Sequence, residues 1–375
     1  MSPVTLSLSL PRMVALAISA SVAMAQAPPM ATYPAVPLAQ KGPYNYPDGI
    51  PYKVDTDTNL IRGTQIGYNI CNATTENQQS LCQTSFLNDL DDFCLWAPAE
   101  YGATVGDIEG SMIAWCTKPG HGTRLIPEGA LHGVQFTKTP DYVQVVGFID
   151  QTKINILEGD YGGEMDPHGA DLRGNPMGGI MFSNRFTGQY TQAIEWHNFI
   201  GSNSFCLKLC DPRGANAANY CEHIFDRIGC KYNAPNEARN GTFEACEGEN
   251  QDFPGIYTGA DGVTSTYTQP PESLGPITTV TYEPRIPKSS NCVQFESKSI
   301  YTGLPTASVA APSSSATSSS QTNGGSSSSA TSRSSASNSN SAAPSTQTDT
   351  SGAGQVVASS AVLVSALFGV AMLLA

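Results

Sequence analysis

The chain contains none of the short signatures of the commonest catalytic machinery: no G-x-S-x-G, no H-E-x-x-H and no phosphate-binding glycine loop. The usual serine-hydrolase, zinc-protease and nucleotide-binding readings go with them. Basic residues are scarce too. Lys and Arg number 19 against 32 Asp and Glu, for a formal charge of −13. Setting aside Arg12, Arg333 and Asp349 near the two ends leaves 17 basic and 31 acidic residues, near −14. Such a surface repels nucleic acid and anionic membranes but tolerates neutral glycans. No C-x-x-C occurs among the 10 cysteines, so thiolate zinc motifs are missing as well.

What the chain does have is concentrated at its ends. One cation, Arg12, precedes the apolar run M-V-A-L-A-I-S-A-S-V-A-M, and Ala23-Met24-Ala25 fits an A-x-A cleavage site. Residues 1–25 therefore read as an export signal. From Thr306 to Ser351, 26 of 46 residues are Ser or Thr, and none is aromatic. That composition cannot bury enough apolar surface to order itself, so 303–351 reads as a disordered, O-glycosylated stalk. Fully stretched it would reach roughly 140 Å, enough to cross a cell wall.

Beyond the stalk come Ser351-Gly352-Ala353, a short spacer and an apolar end from Ala361 to Ala375. This is the order of a GPI-attachment signal, with Ser351 as the attachment residue, Gly352 or Asn340 as alternatives, and 352–375 removed. The rival is a single membrane helix. Fifteen apolar residues are short for a core about 30 Å thick, and no Lys or Arg follows them.

Between the ends, 26–51 reads as an extended Pro/Tyr-rich arm and 52–302 as one extracellular domain. All ten cysteines lie there: Cys71, Cys82, Cys94, Cys116, Cys206, Cys210, Cys221, Cys230, Cys246 and Cys292. An even count in an exported chain predicts up to five disulfides. Connectivity stays open, with one exclusion. If S-F-C-L-K-L-C is a strand, Cys206 and Cys210 share a face about 13 Å apart, too far to pair with each other. The sequons at Asn72 and Asn240 predict exposed N-glycan sites.

Alternating stretches predict strands across residues 133–157, 178–183, 191–200 and 204–210, with a late one at I-T-T-V-T-Y, 277–282. The capping-box spacing of Thr75 and Gln78 predicts a helix there, and the stripe Tyr220, Cys221, Ile224, Phe225 and Ile228 predicts another, ending at Gly229. The fold expected is mainly β: a disulfide-braced antiparallel sandwich or barrel with one or two short helices.

The most unusual polar stretch is G-D-Y-G-G-E-M-D-P-H-G-A-D, beginning at Gly159. If extended, it sets Glu164, Asp166 and His168 on one face, with Asp160 and Asp171 nearby. The carboxylates suit Ca²⁺, His168 suits a transition metal, and paired carboxylates suit glycoside hydrolysis. The plainer reading is a loop whose side chains bond their own backbone, with no cofactor at all. Two of those carboxylates in an open cleft within roughly 10 Å of each other would favour chemistry, and a self-bonded loop with no cleft would favour display. Glu195 and His197 read as a solvated cross-strand pair rather than an acid/base couple, and Glu222 and His223 as an exposed helix face. His121 and His132 find no partner in the sequence. Trp96, Trp115 and Trp196 read as core rather than a sugar platform.

At G-G-E-M-D-P-H-G-A-D-L-R-G-N-P-M-G-G-I-M-F and E-W-H-N-F-I-G-S-N-S-F-C-L-K-L-C-D-P the chain resembles fungal immunoreactive mannoproteins, also described as macrophage-activating glycoproteins. The resemblance implies a mannosylated surface or shed antigen, contacting wall glycans and recognised by host lectin receptors and T cells. It implies no catalytic residue. The expected location is extracellular, tethered to the membrane by a GPI lipid or held in the cell wall.

Overall fold

The computed structural model describes residues 33–58 and 60–301. The export signal, the stalk and the lipid-anchor segment lie outside these described residues. Fifteen strands carry the fold. The first six are β1 (Thr84–Asp89), β2 (Asp92–Ala97), β3 (Ile113–Cys116), β4 (Arg124–Leu125), β5 (Leu131–Lys138) and β6 (Tyr142–Ile149). Then come β7 (Gly163–Met165), β8 (Ile180–Ser183), β9 (Thr191–Ala193), β10 (Trp196–Gly201) and β11 (Ser204–Cys210). The last are β12 (Phe243–Gly248), β13 (Ile256–Thr258), β14 (Thr264–Thr266) and β15 (Ser289–Phe295).

They form two open sheets and a small hairpin, with orders β4-β3-β2-β1-β8-β9, β15-β12-β5-β6-β11-β10-β7 and β13-β14. The expected sandwich is present; neither large sheet closes into a barrel. Most neighbours are antiparallel as expected, but β1–β8, β3–β4 and β5–β12 run parallel. Phe93 of β2 stacks on Phe205 of β11 with ring centroids 5.9 Å apart, and Trp96 meets Trp196 at the same distance. These contacts join the two large sheets through one core. Each such side chain contributes about 1.5–3 kcal/mol by leaving water. Asn198 Oδ1 accepts the Trp96 amide at 3.0 Å, so the core's edge is also hydrogen-bonded.

Strand β11 shows how the alternation was used. Phe205, Leu207 and Leu209 enter the shared core, while Cys206, Lys208 and Cys210 face the other way. That outer face is buried too, because the segment holding α2 (Ala217–Tyr220) and α3 (Gly229–Asn233) lies over it. Disulfides Cys206–Cys230 and Cys210–Cys221 staple this cover to β11, and each cysteine pairs away from the other as strand geometry requires. Cys71–Cys82, Cys94–Cys116 and Cys246–Cys292 complete five bridges, and no cysteine is free.

Several local expectations fail for identifiable reasons. No helix forms from Thr75. Asn72 and Asn77 cap their own turns, and Thr75 and Gln78 bond to Gly122 and Leu125 instead. The helix expected up to Gly229 stops after one turn at Tyr220; Cys221 is pinned to Cys210, and Gly229 at φ +64° opens α3 rather than closing a helix. Residues 277–282 make no ladder, since Val280 and Tyr282 pack on Phe225 and Tyr267 instead. The stretch 151–154 is a 3-10 turn capped by Asp150 rather than a strand. The Pro/Tyr arm is extended but not peripheral: Leu38 and Ile50 join the core, and Tyr46 packs edge-on to Phe86 at 5.1 Å. All three tryptophans are core. Among the described residues no helix is long and apolar enough to cross a membrane.

The cover hides one full charge. Lys208 Nζ is fully buried, donates to Gln251 Oε1 and to the Asn233 and Tyr220 carbonyls, and sits 4.7 Å from the Tyr142 ring centroid. Burial pushes its pKa well down. The three acceptors oppose that, because a neutral amine has only two N–H groups to offer them. Lys208→Ala should therefore cost about 3–5 kcal/mol in chemical denaturation, and Lys208→Met less, because methionine refills the stem's space. Equal, negligible losses for both variants would show the ammonium plays no structural part.

Candidate functional site

Strand β7 is the far edge of the seven-stranded sheet, where Glu164 pairs with Phe199 of β10. The approach to it is tight. Gly162 has φ +97°, and a Cβ there would lie 2.1 Å from the Ile200 carbonyl oxygen, so only glycine fits. After β7 the chain turns at Asp166, whose Oδ1 accepts the His168 and Gly169 amides at 2.6 and 2.8 Å. To that extent the plain self-bonded loop is present. Two arginines then lock it. Arg62 grips Asp171 through Nε at 2.9 Å and bonds the Gly174 carbonyl at 2.9 Å. Arg173, fully buried, bonds Asp55 Oδ2 through Nε at 3.1 Å.

The locked loop, the β7 edge and the cover enclose an open cleft of about 1010 Å³. Glu109, Glu164, Asp166, His168, His223 and Asp226 line it. Two of the carboxylates singled out in the sequence, Glu164 and Asp166, thus stand in one cleft with His168. Asp171 does not join them; it is spent on Arg62. Asp160 is also elsewhere, accepting the Val105 amide at 3.0 Å.

The electrostatics are unusual. Glu164 is fully buried, and neither carboxyl oxygen has a hydrogen-bond partner among the described residues. Burial first, then the nearby Asp166 and Asp226 charges, raise its pKa well above the ordinary glutamate value. Glu109 is raised to about 7, chiefly by burial, with the Glu164 amide partly offsetting it. Asp166 is raised by burial against the pull of its two backbone donors. The cleft therefore holds carboxyl groups able to carry protons near neutral pH.

At one side sits a different group. His168 Nε2 lies 3.3 Å from Glu195 Oε2, and the His168 ring stacks on His223 with centroids 3.6 Å apart. Burial lowers the His168 pKa, but the Glu195 bond and the Asp166 and Glu222 charges outweigh it and leave the value raised. Glu195 and His197 do not pair across a strand. The ladder breaks between β9 and β10, so Glu195 turns toward His168, while His197 is fully buried opposite Lys208, and neither ring nitrogen has a hydrogen-bond partner among the described residues. Nor is His223 on an exposed helix face. His121, partnerless in the sequence, is buried and bonds Asp92 at 2.6 Å; His132 is exposed. Glu109 and Asp226 gave no signal at all in the sequence, being remote from the G-G-E-M-D-P-H stretch and brought to it only by the fold.

Two known proteins match the chain. The appressorium protein ROW1 of Mycosarcoma maydis is 49% identical over 215 residues, 56% of this chain and 50% of ROW1, so the chain spans about half of that relative. The appressorium protein ROW2 of the same organism is 41% identical over 269 residues, 70% of this chain and 86% of ROW2. The chain belongs to the family of these appressorium proteins. No family model matches it, and no solved structure does. Within this fungal family, then, the cleft is built by residues that must be read on their own chemistry.

A raised carboxyl favours the protonated folded state, so folding takes up protons above the unfolded glutamate pKa and stability falls as pH rises from about 4.5. Glu164→Gln removes that loss. Thermal and denaturant unfolding at pH 5 and pH 7.5 should show the variant gaining on the parent at the higher pH, by at most about 3 kcal/mol for one carboxyl over that interval. An unchanged difference between the two pH values would mean Glu164 is ionised in the fold.

Proposed function

We propose that this chain is an exported fungal surface glycoprotein, displayed on a mannosylated stalk by a GPI lipid, or shed, and working in the wall or at a contact with a host. The observation that carries this reading is the closure of all ten cysteines into five disulfides, which the reducing cytosol does not sustain. Asn72 and Asn240 are both exposed, as N-glycan acceptors must be. Membership of a family whose relatives are named for the appressorium supports a role at an infecting cell's surface. Attached mannans would be the groups that host lectin receptors recognise, as the mannoprotein resemblance implies, and wall glycans the neighbours on the fungal side.

A second reading has one specific observation behind it. Glu164 and Asp166 share an open cleft in which burial favours the protonated form of Glu164, the form a general acid needs for glycoside cleavage. On that reading the displayed domain trims or binds a polysaccharide of the wall.

Phosphatidylinositol-specific phospholipase C should release the protein from membranes, and N-glycosidase should then lower its mass by two glycans, one lost in each of Asn72→Gln and Asn240→Gln. Retention on the membrane after the lipase would replace the lipid anchor with a spanning segment. Glycan-processing activity that survives Glu164→Gln would dismiss the second reading.

A further inference from the structure

We propose that His168, Glu195 and His223 form a zinc site at the rim of the cleft, with a fourth coordination position open to it. Three parts of the chain supply the ligands: the loop after β7, the break between β9 and β10, and the stretch following α2. One ligand atom from each lies within 4.8 Å of the others. A tetrahedral ion with bonds of about 2.0–2.2 Å sets its ligand atoms about 3.3–3.5 Å apart. His168 Nε2 and Glu195 Oε2, at 3.3 Å, already have that spacing.

A second and separate observation points to a cation here. Glu164 is fully buried in the wall of the same cleft, and neither of its oxygens finds a hydrogen bond among the described residues. Glu109, Asp166 and Asp226 add further acid to that lining, whose two cations are engaged elsewhere, Arg227 with the Pro270 and Gly275 carbonyls and Lys231 with Glu283. Like charges crowded into one lining repel one another, and a positive charge at the rim relieves that repulsion.

The donor set selects the metal. Two imidazole nitrogens and one carboxylate suit zinc, whereas Ca²⁺ and Mg²⁺ require six or more oxygens, or water in their place. Three protein ligands with a free position is the arrangement of zinc that acts on something, not of zinc that merely braces a fold. His168 and His223 both line the cleft, so an ion held between them borders it. One adjustment is required. Ring lone pairs lie in the ring plane, so the stacked imidazoles, now inclined by only 22°, must swing apart to converge on one ion.

The site is independent of how the protein is tethered, so its test leaves the surface reading untouched. The mature, disulfide-intact protein is stripped with a chelator, then titrated with Zn²⁺ by calorimetry and assayed for bound metal. One zinc per chain is expected. His223→Ala and Glu195→Gln should each weaken binding more than about 100-fold, since even outer-shell partners are worth 10–100-fold. His132→Ala, at an exposed histidine away from the cleft, should bind as the parent does. Co²⁺ in the parent should give the intense visible bands of a tetrahedral site, a readout that needs no variant to fold. Absence of stoichiometric zinc, an octahedral Co²⁺ spectrum, or undiminished binding in a correctly folded His223→Ala would each overturn the proposal.

Discussion

Everything distinctive about this molecule depends on two disulfides rooted in one face of one strand. Cys206 and Cys210 stand two side chains apart on the outer face of β11, and each ties down a different part of the segment that crosses above. Without that cover the outer face would be an ordinary wet side of a sheet. With it, Lys208 and His197 are sealed in, and His223 and Asp226 are carried round to face the β7 edge. The sandwich core is generic chemistry of aromatic and branched side chains. The cleft exists because a poorly helical stretch has been held where it would not rest by itself.

The same arrangement explains the charge distribution of the cleft. Most acidic residues of an acidic chain can sit in water, where their repulsion is weak. Here several converge in a partly enclosed volume, and the two arginines that lock the adjoining loop are committed elsewhere, Arg62 to Asp171 and Arg173 to Asp55. Those pairs fix the loop's shape at the expense of neutralising its neighbours. Glu164 and Glu109 respond by holding protons more tightly. Rigidity of the loop and protonation of the cleft are thus two results of one allocation of cations.

How much of this was legible beforehand varies with the range of the interaction. The period-two pattern of β11 put both cysteines on one face, and that geometry held. The strands over 131–149 and 204–210 follow the alternation, though their polar positions are buried by the cover instead of solvated. The stretch around Glu164 stood out by composition, and three of its five marked residues, Glu164, Asp166 and His168, do meet in a cleft. Asp171 looked identical to them in the sequence, and only Arg62, 109 positions away, decides its different use. Glu109 and Asp226 gave no signal, and Glu195 and His223 were assigned other places, because their positions arise from distant chain segments meeting. The stripe at Tyr220 to Ile228 misled because covalent bonds, not helical periodicity, place those side chains.

The bridges close short circuits of 11 to 46 residues, and none of the five spans from one large sheet to the other. The sandwich is held together by its shared apolar core and the Trp96–Asn198 hydrogen bond, while the crossing segment depends on sulfur. A reductant would therefore dismantle the molecule in sequence, loosening the cleft's lid and its histidine while the paired sheets persisted. The domain can thus lose its cleft and keep its body.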